Sequence, residues 1–284
     1  MPKVAMSSWT FHEAFGCLWN ELHPNGKKVI PKNVATSASL DLLSLPREVA
    51  SHDIKTIDIC HFHLPSIDAT FLEELKRALA EADVELVQLL IDSGELCKPD
   101  PEASRDQIEI VKRWMEVASQ LGATGVRYVP GAATPSAETI GASVKAFREL
   151  ADFANSLALE PATENFKNMN QLPGTLLEII DLSERSYGLV ADFGNASGPD
   201  KYLTLSKLMP RATSIHAWAN CDDNGIIDRA EFRHCLEIAL DSGFDGPILL
   251  LGARPPDAVK HKRGLWQVTN DLWDEVESVF GGTR

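Results

Sequence analysis

Three stretches of the 284-residue chain place a metal-ligating side chain at the end of a β-like run: Glu164 in "ATENF", Asp192 in "VADFGN" and His216 in "SIHAWA". They stand 28 and 24 residues apart, about one strand–helix unit each. Two carboxylates and an imidazole form a donor set for a divalent cation such as Mn²⁺, Zn²⁺ or Mg²⁺, with open positions for water and substrate oxygens. Each residue alone also has an ordinary reading. A strand-end acid often caps the next helix, a lone histidine often satisfies the core, and Asn165 and Asn195 could do the capping. The common register of the three points to a site.

Other residues could complete it. His61 and His63 end a second β-like run in "CHFHL" and, two apart, share a face if that run stays extended. Facing inward, one or both would serve as base, substrate hydrogen-bond partner or further ligand; facing outward, they meet helices or solvent. Trp9 and Trp218, at the ends of the first and seventh runs, could be walls for a sugar ring or upper-layer core. The stretch "RPPDAVKHKR" gathers Arg254, Lys260, Lys262 and Arg263 near the last run. It could hold a substrate carboxylate or phosphate, or be a solvated loop. No G-x-S-x-G elbow occurs, so a serine hydrolase of the common kind is unsupported.

The elements that must position these residues alternate. "IKTIDICHFHL" reads as a strand and "ATFLEELKRALAEAD" as a helix, with Leu72, Leu75 and Leu79 at helical spacing. "VELVQLLI" reads as a strand, and "SRDQIEIVKRWMEVASQLG" as a helix opened by Ser104 and closed by Gly122. The alternation continues to the tail helix "GLWQVTNDLWDEVESVF", and "KVAMSSWTF" supplies a first strand. Eight strands separated by helical returns must run parallel, and in this length they imply one (β/α)₈ TIM barrel over residues 1–284. No glycine-rich phosphate turn follows the first strand, which argues against a doubly wound fold. Residues 12–45 are irregular, and no linker or second domain is visible. In such a barrel the C-terminal strand ends converge on one rim, where Glu164, Asp192 and His216 would meet.

Composition narrows the partners. The chain is 44% hydrophobic with a formal net charge of −14, which argues against nucleic acid and anionic membranes. No stretch could span a bilayer, and "MPKVAMSSWT" has no apolar run of signal-peptide length. Five cysteines without CxxC spacing read as reduced thiols, so a cytoplasmic location is expected. The expected partner is a small sugar-like molecule, with homo-oligomers left open.

One stretch suggests calcium. In "NCDDNGIIDRAEF", Gly225 at loop position 6 sets Asn220, Asp222, Asn224, Asp228 and Glu231 at positions of the helix–loop–helix calcium site. The preceding residues, however, alternate as a strand. The expectation is therefore a solvated loop without calcium after a strand ending near Trp218. Asp228 would stand near the next N-cap, with Glu231 three residues on.

The residues of "ATENF", "ADFGN" and "SIHAWA", with "CLEIALDSGFDGPILLL", resemble the xylose-isomerase-like TIM barrels. That superfamily includes sugar phosphate isomerases and epimerases, dehydratases and AP endonuclease-like proteins. The likeness covers nearly the whole chain. It implies that Glu164, Asp192 and His216 ligate a divalent metal, with Glu164 also a base. The implied activity is metal-dependent isomerisation or epimerisation, or a related dehydration, of a sugar, polyol or hydroxy acid. The resemblance breaks at the eighth strand, where the family's glutamate is replaced by Leu251. An apolar side chain neither binds a hard cation nor moves a proton, so a two-carboxylate epimerase mechanism loses a member. The alternative is a degenerate, non-catalytic barrel that binds a small ligand. Phe166 and Trp218, where relatives carry polar residues, fit that alternative.

Overall fold

The structure, a computed structural model, describes residues 2–23, 25–33, 36–254 and 264–281. Its eight parallel strands are β1 (Val4–Ser7), β2 (Thr56–Cys60), β3 (Glu85–Ile91), β4 (Gly125–Tyr128), β5 (Glu160–Glu164), β6 (Gly188–Asp192), β7 (Ser214–Asn220) and β8 (Ile248–Arg254). They form a closed barrel in the order β1-β8-β7-β6-β5-β4-β3-β2, the (β/α)₈ architecture. Contacts group the chain into two compact units, residues 12–188 and residues 1–11 with 189–284.

Residues 12–188 carry β2 to β5. The pairing sets Cys60 beside Leu90, Ile91 beside Tyr128 and Arg127 beside Ala162, so these strand ends lie level. Helix α1 (Leu45–Ala50) is short, and α2 (Ala69–Glu81) buries the Leu72, Leu75 and Leu79 stripe. Helix α3 (Pro101–Leu121) begins before the expected Ser104. Asp100 is its cap, accepting from the Ala103 amide at 2.8 Å, and Pro101 occupies the first turn, where a missing N–H costs nothing. Gly122 closes it in the left-handed conformation, φ 77°. Helix α4 (Ala137–Ser156) starts on a Ser136–Thr139 capping box. The short α5 (Lys167–Gln171) and α6 (Pro173–Ser183) follow β5. Trp114, Tyr128 and Phe147 are fully buried in this unit, each contributing on the order of 2–3 kcal/mol by area removed from water. The irregular segment contains a small antiparallel hairpin, Asn20–Leu22 with Val29–Pro31.

β2 is shorter than the sequence suggests. It stops at Cys60, and His61–His63 turn as a 3-10 helix in which the Leu64 amide donates to the His61 carbonyl at 3.1 Å. The two histidines therefore do not share a strand face.

Residues 1–11 and 189–284 carry β1 and β6 to β8 with α7 (Lys201–Leu208), α8 (Arg229–Asp241) and α9 (Leu265–Gly281). Register pairs Asp192 with His216 and His216 with Leu249. A register shift between Leu250 and Ala253 interrupts β8, and Thr10 Oγ1 donates to the Leu250 carbonyl there at 2.9 Å. Glu275 docks α9 on α8: it is buried and accepts from Arg229 at 2.6 Å and Arg233 at 2.7 Å. No helix among the described residues is long and apolar enough to cross a membrane.

Candidate metal centre

Asp192 ends β6 and divides its two oxygens between tasks. Oδ1 accepts from the amides of Gly194 at 2.6 Å and Asn195 at 2.8 Å, turning the chain out of the strand. Asp192 thus braces a turn, and neither it nor Asn195 caps a helix, since the next helix begins only at Lys201. Oδ2 lies 3.7 Å from His216 Nδ1, too far for a hydrogen bond. Atoms ligating one small cation at about 2.1 Å stand about 3–3.5 Å apart, so the two need close only slightly. Both residues are buried.

Glu164 ends β5 in a buried charge network. Arg127 of β4, 2% exposed, sets Nε 2.9 Å from Glu164 Oε2 and donates from Nη1 to Asp92, just beyond β3. The Nε–H does not point along its line to Glu164, so that contact is coulombic rather than a hydrogen bond. Burial alone would push Asp92 up, but the Arg127 charge outweighs it and holds the carboxyl below its usual range. Burial likewise works against the guanidinium, and Asp92 and Glu164 together keep it more firmly protonated than usual. The Asn170 amide and the Phe166 N–H both donate to the Glu164 carbonyl at 2.8 Å, fixing the strand end. Lys167, in the left-handed region at φ 59°, donates to the Asp92 carbonyl at 2.8 Å and lies 3.8 Å from Glu95. Arg127 and Lys167 both sit 6.0 Å from the centre of the Phe166 ring, at the outer limit for cation–π attraction.

Glu164, Asp192 and His216 each offer one ligand atom, and these atoms all lie within 4.8 Å of one another. The donor set fits a divalent cation: two hard oxygens and one imidazole nitrogen, all buried, where a 2+ charge would offset paired carboxylates. Three protein ligands leave positions open, the pattern of a catalytic rather than a structural site.

The other expected residues fall elsewhere. His61 is fully buried; its Nε2 is 2.7 Å from Ser93 Oγ, and its Nδ1 lies 3.2 Å from the Leu90 carbonyl and 3.3 Å from the Asp92 amide. Ser93 donates to Glu21 at 2.6 Å, so its oxygen accepts from His61 Nε2–H, and Nδ1 accepts from the Asp92 N–H. That assignment makes His61 neutral, in keeping with burial pushing its imidazole down to about 4. His63 Nε2 lies 3.0 Å from His12 Nδ1, one ring donating and the other accepting, with Phe15 against its ring at 5.2 Å. Trp9 is half-buried in the 3-10 turn Ser8–Phe11 after β1 rather than on the strand. Trp218 is half-buried near the end of β7. Arg254 ends β8, but its side chain lies outside the described residues, as do Lys260, Lys262 and Arg263. Leu251 occupies the irregular part of β8. Arg127, Asp92 and Lys167 were not picked out in the sequence. Asp92 was the accessible one, an acid following the run "VELVQLLI".

The calcium-like loop spends its carboxylates on itself. Asp222 Oδ1 accepts from the amides of Asn224 and Ile226, both at 2.9 Å. Asp228 caps α8 by accepting from the Glu231 amide at 3.1 Å, and Glu231 pairs with Lys201. The preceding strand runs to Asn220, two residues past the expected end.

A family model described as xylose isomerase-like TIM barrel matches residues 46–267. A search of curated proteins by sequence finds no match. Solved structures with the same fold include a D-tagatose 3-epimerase-like protein, 17% identical with TM-score 0.66, covering 99% of this chain and 100% of that one. Another is D-allulose 3-epimerase from Methylomonas sp., 16% identical with TM-score 0.62, covering 99% and 97%. A third, from Mycobacterium smegmatis, is a xylose isomerase-like TIM barrel protein in complex with magnesium, 15% identical with TM-score 0.61, covering 98% of each chain.

Proposed function

The chain belongs to the xylose isomerase-like TIM barrel family, and from that premise we propose that it holds a divalent cation on Glu164, Asp192 and His216 and isomerises or epimerises a small sugar-like substrate. The observation that carries this reading is the convergence of the three buried donors. Structures of similar fold include sugar epimerases, and one such barrel contains magnesium, which supports it further. A bound Mg²⁺, Mn²⁺ or Zn²⁺ would polarise a substrate carbonyl or hydroxyl.

The protein's own groups divide the remaining work. Arg127 fixes where the Glu164 carboxylate points, and Asp92 fixes Arg127. Glu164 can then take a proton from the carbon next to a carbonyl and return it to a neighbouring atom on the same face. Inversion at one carbon needs a second base on the opposite face. Leu251, in β8, cannot be that base. The chemistry this leaves with fewest additional parts is one-base isomerisation, with dehydration of a polyol or hydroxy acid next to it.

Solvent exchange tests the proposal. Incubated in D₂O with Mn²⁺ and a panel of aldoses and ketoses, the protein should wash deuterium into the carbon next to the carbonyl of its substrate. Glu164→Gln should reduce that exchange at least a hundredfold. Metal binding with no exchange from any sugar would favour the second reading, a ligand-binding barrel without turnover, to which Leu251 gives independent support. Failure to bind a divalent cation would remove both forms of the metal proposal.

A further inference from the structure

We infer that the indole N–H of Trp218 is a hydrogen-bond donor for an oxygen of the ligand that binds beside Asp192 and His216, and so selects for ligands bearing a hydroxyl, carbonyl or carboxylate there. The inference rests on the functional reading above for the place of the ligand, and on different atoms for its argument.

Trp218 stands two residues beyond His216 on β7, so both side chains leave the strand on the same face. Across the pair, Asp192 is level with His216, and Gly194 follows Asp192 as Trp218 follows His216. The indole lies directly on Gly194: a Cβ added there would be 1.4 Å from Trp218 Cε3, 2.3 Å from Cζ3 and 2.4 Å from Cδ2. These are atoms of the benzene half of the indole, and no rotation of a side-chain tip could relieve such an overlap. The glycine therefore abuts the benzene edge of the ring at Cε3, and the absence of a Cβ there is what lets the indole take this position.

The edge carries the second observation. Among the described residues, Trp218 Nε1 is closed off from solvent and has no hydrogen-bond partner. Indole nitrogen is only a donor, and tryptophan in buried positions usually finds an acceptor for it. A phenylalanine would supply similar apolar contact on Gly194 without the cost of an unmet N–H. The arrangement makes sense where an oxygen arrives with the ligand. A group that only donates, such as an ammonium, would be rejected, because it would leave the N–H unpaired and set two donors against each other.

The test uses the full chain with its six tryptophans, whose indole N–H resonances can be resolved after ¹⁵N labelling. Trp218→Phe assigns the Trp218 signal. On titration of the Mg²⁺-loaded protein with D-tagatose, D-fructose and D-xylose, at least one sugar should move that signal downfield saturably and slow its exchange with solvent. Replacing Trp218 by β-(3-benzothienyl)alanine, which keeps the ring shape with sulfur in place of N–H, should weaken that sugar about tenfold. It should leave Mg²⁺ affinity within twofold of the parent. Gly194→Ala, which dislodges the ring but keeps the N–H, should produce a comparable loss.

Equal sugar affinity in the benzothienyl protein overturns the inference, as does a panel in which no sugar moves the Trp218 signal. Failure of the metal reading is seen separately, as an absence of Mg²⁺ binding to the parent chain.

Discussion

Arg127 carries the heaviest electrostatic load of any single residue in the candidate site. It sits between two buried carboxylates, Asp92 and Glu164, which it stabilises and which in turn hold it charged. Arg127→Leu would leave two buried negative charges without their counter-ion, so the expected destabilisation is about 3–5 kcal/mol in urea titration at pH 7. Saturating Mn²⁺ should recover part of that loss, because the cation replaces the missing positive charge beside Glu164. His61 makes the opposite kind of demand. Its ordinary value of 6.5 is pushed down to about 4, mainly by burial. The unfolded chain thus takes up a proton at a pH where the folded chain still refuses it. Stability from this group is complete above about pH 6.5 and is lost as pH falls towards 4, by roughly 3 kcal/mol in all. Unfolding free energies measured across that window should show a slope that His61→Gln reduces by about one proton. The sequence made Glu164, Asp192 and His216 legible because each is a chemically capable side chain at the end of an apolar run. Arg127 was not legible: a lone arginine in "GVRYV" looks like a solvent-facing strand residue until acids from neighbouring strands surround it.

Elements show why spacing alone misplaced some residues. The run through His63 has the composition of one long strand, yet the chain turns at His61, sending one histidine to Ser93 and the other to His12. Period-two alternation cannot register a 3-10 turn of three residues. The loop from Asn220 to Glu231 teaches the converse. Its oxygen pattern matches a calcium loop, but the element before it is β7, and its acids serve turns, a cap and an ion pair. Calcium at millimolar concentration should therefore leave the melting temperature unchanged. Asp228→Ala, which removes the cap of α8, should cost about 1 kcal/mol on chemical denaturation. A melting temperature that rises with calcium, and no longer does so in Glu231→Gln, would reverse the assignment.

For the whole molecule, the period of the sequence was enough to specify the barrel, because eight parallel strands with helical returns in 284 residues have few other ways to bury both faces. The same topology explains why residues far apart in sequence become a donor set: β5 ends in Glu164, β6 ends in Asp192, and β7 carries His216 level with Asp192. What the pattern could not convey is which charges surround those donors. The decisive question is whether the three donors share one ion. An anomalous difference map from crystals soaked in Mn²⁺ measures this directly. One strong peak is expected about 2.0–2.3 Å from an oxygen of Glu164, an oxygen of Asp192 and a nitrogen of His216, weakened in Asp192→Asn. A map with no peak there, or with a bound ion that Glu164 does not touch, would contradict the three-donor site.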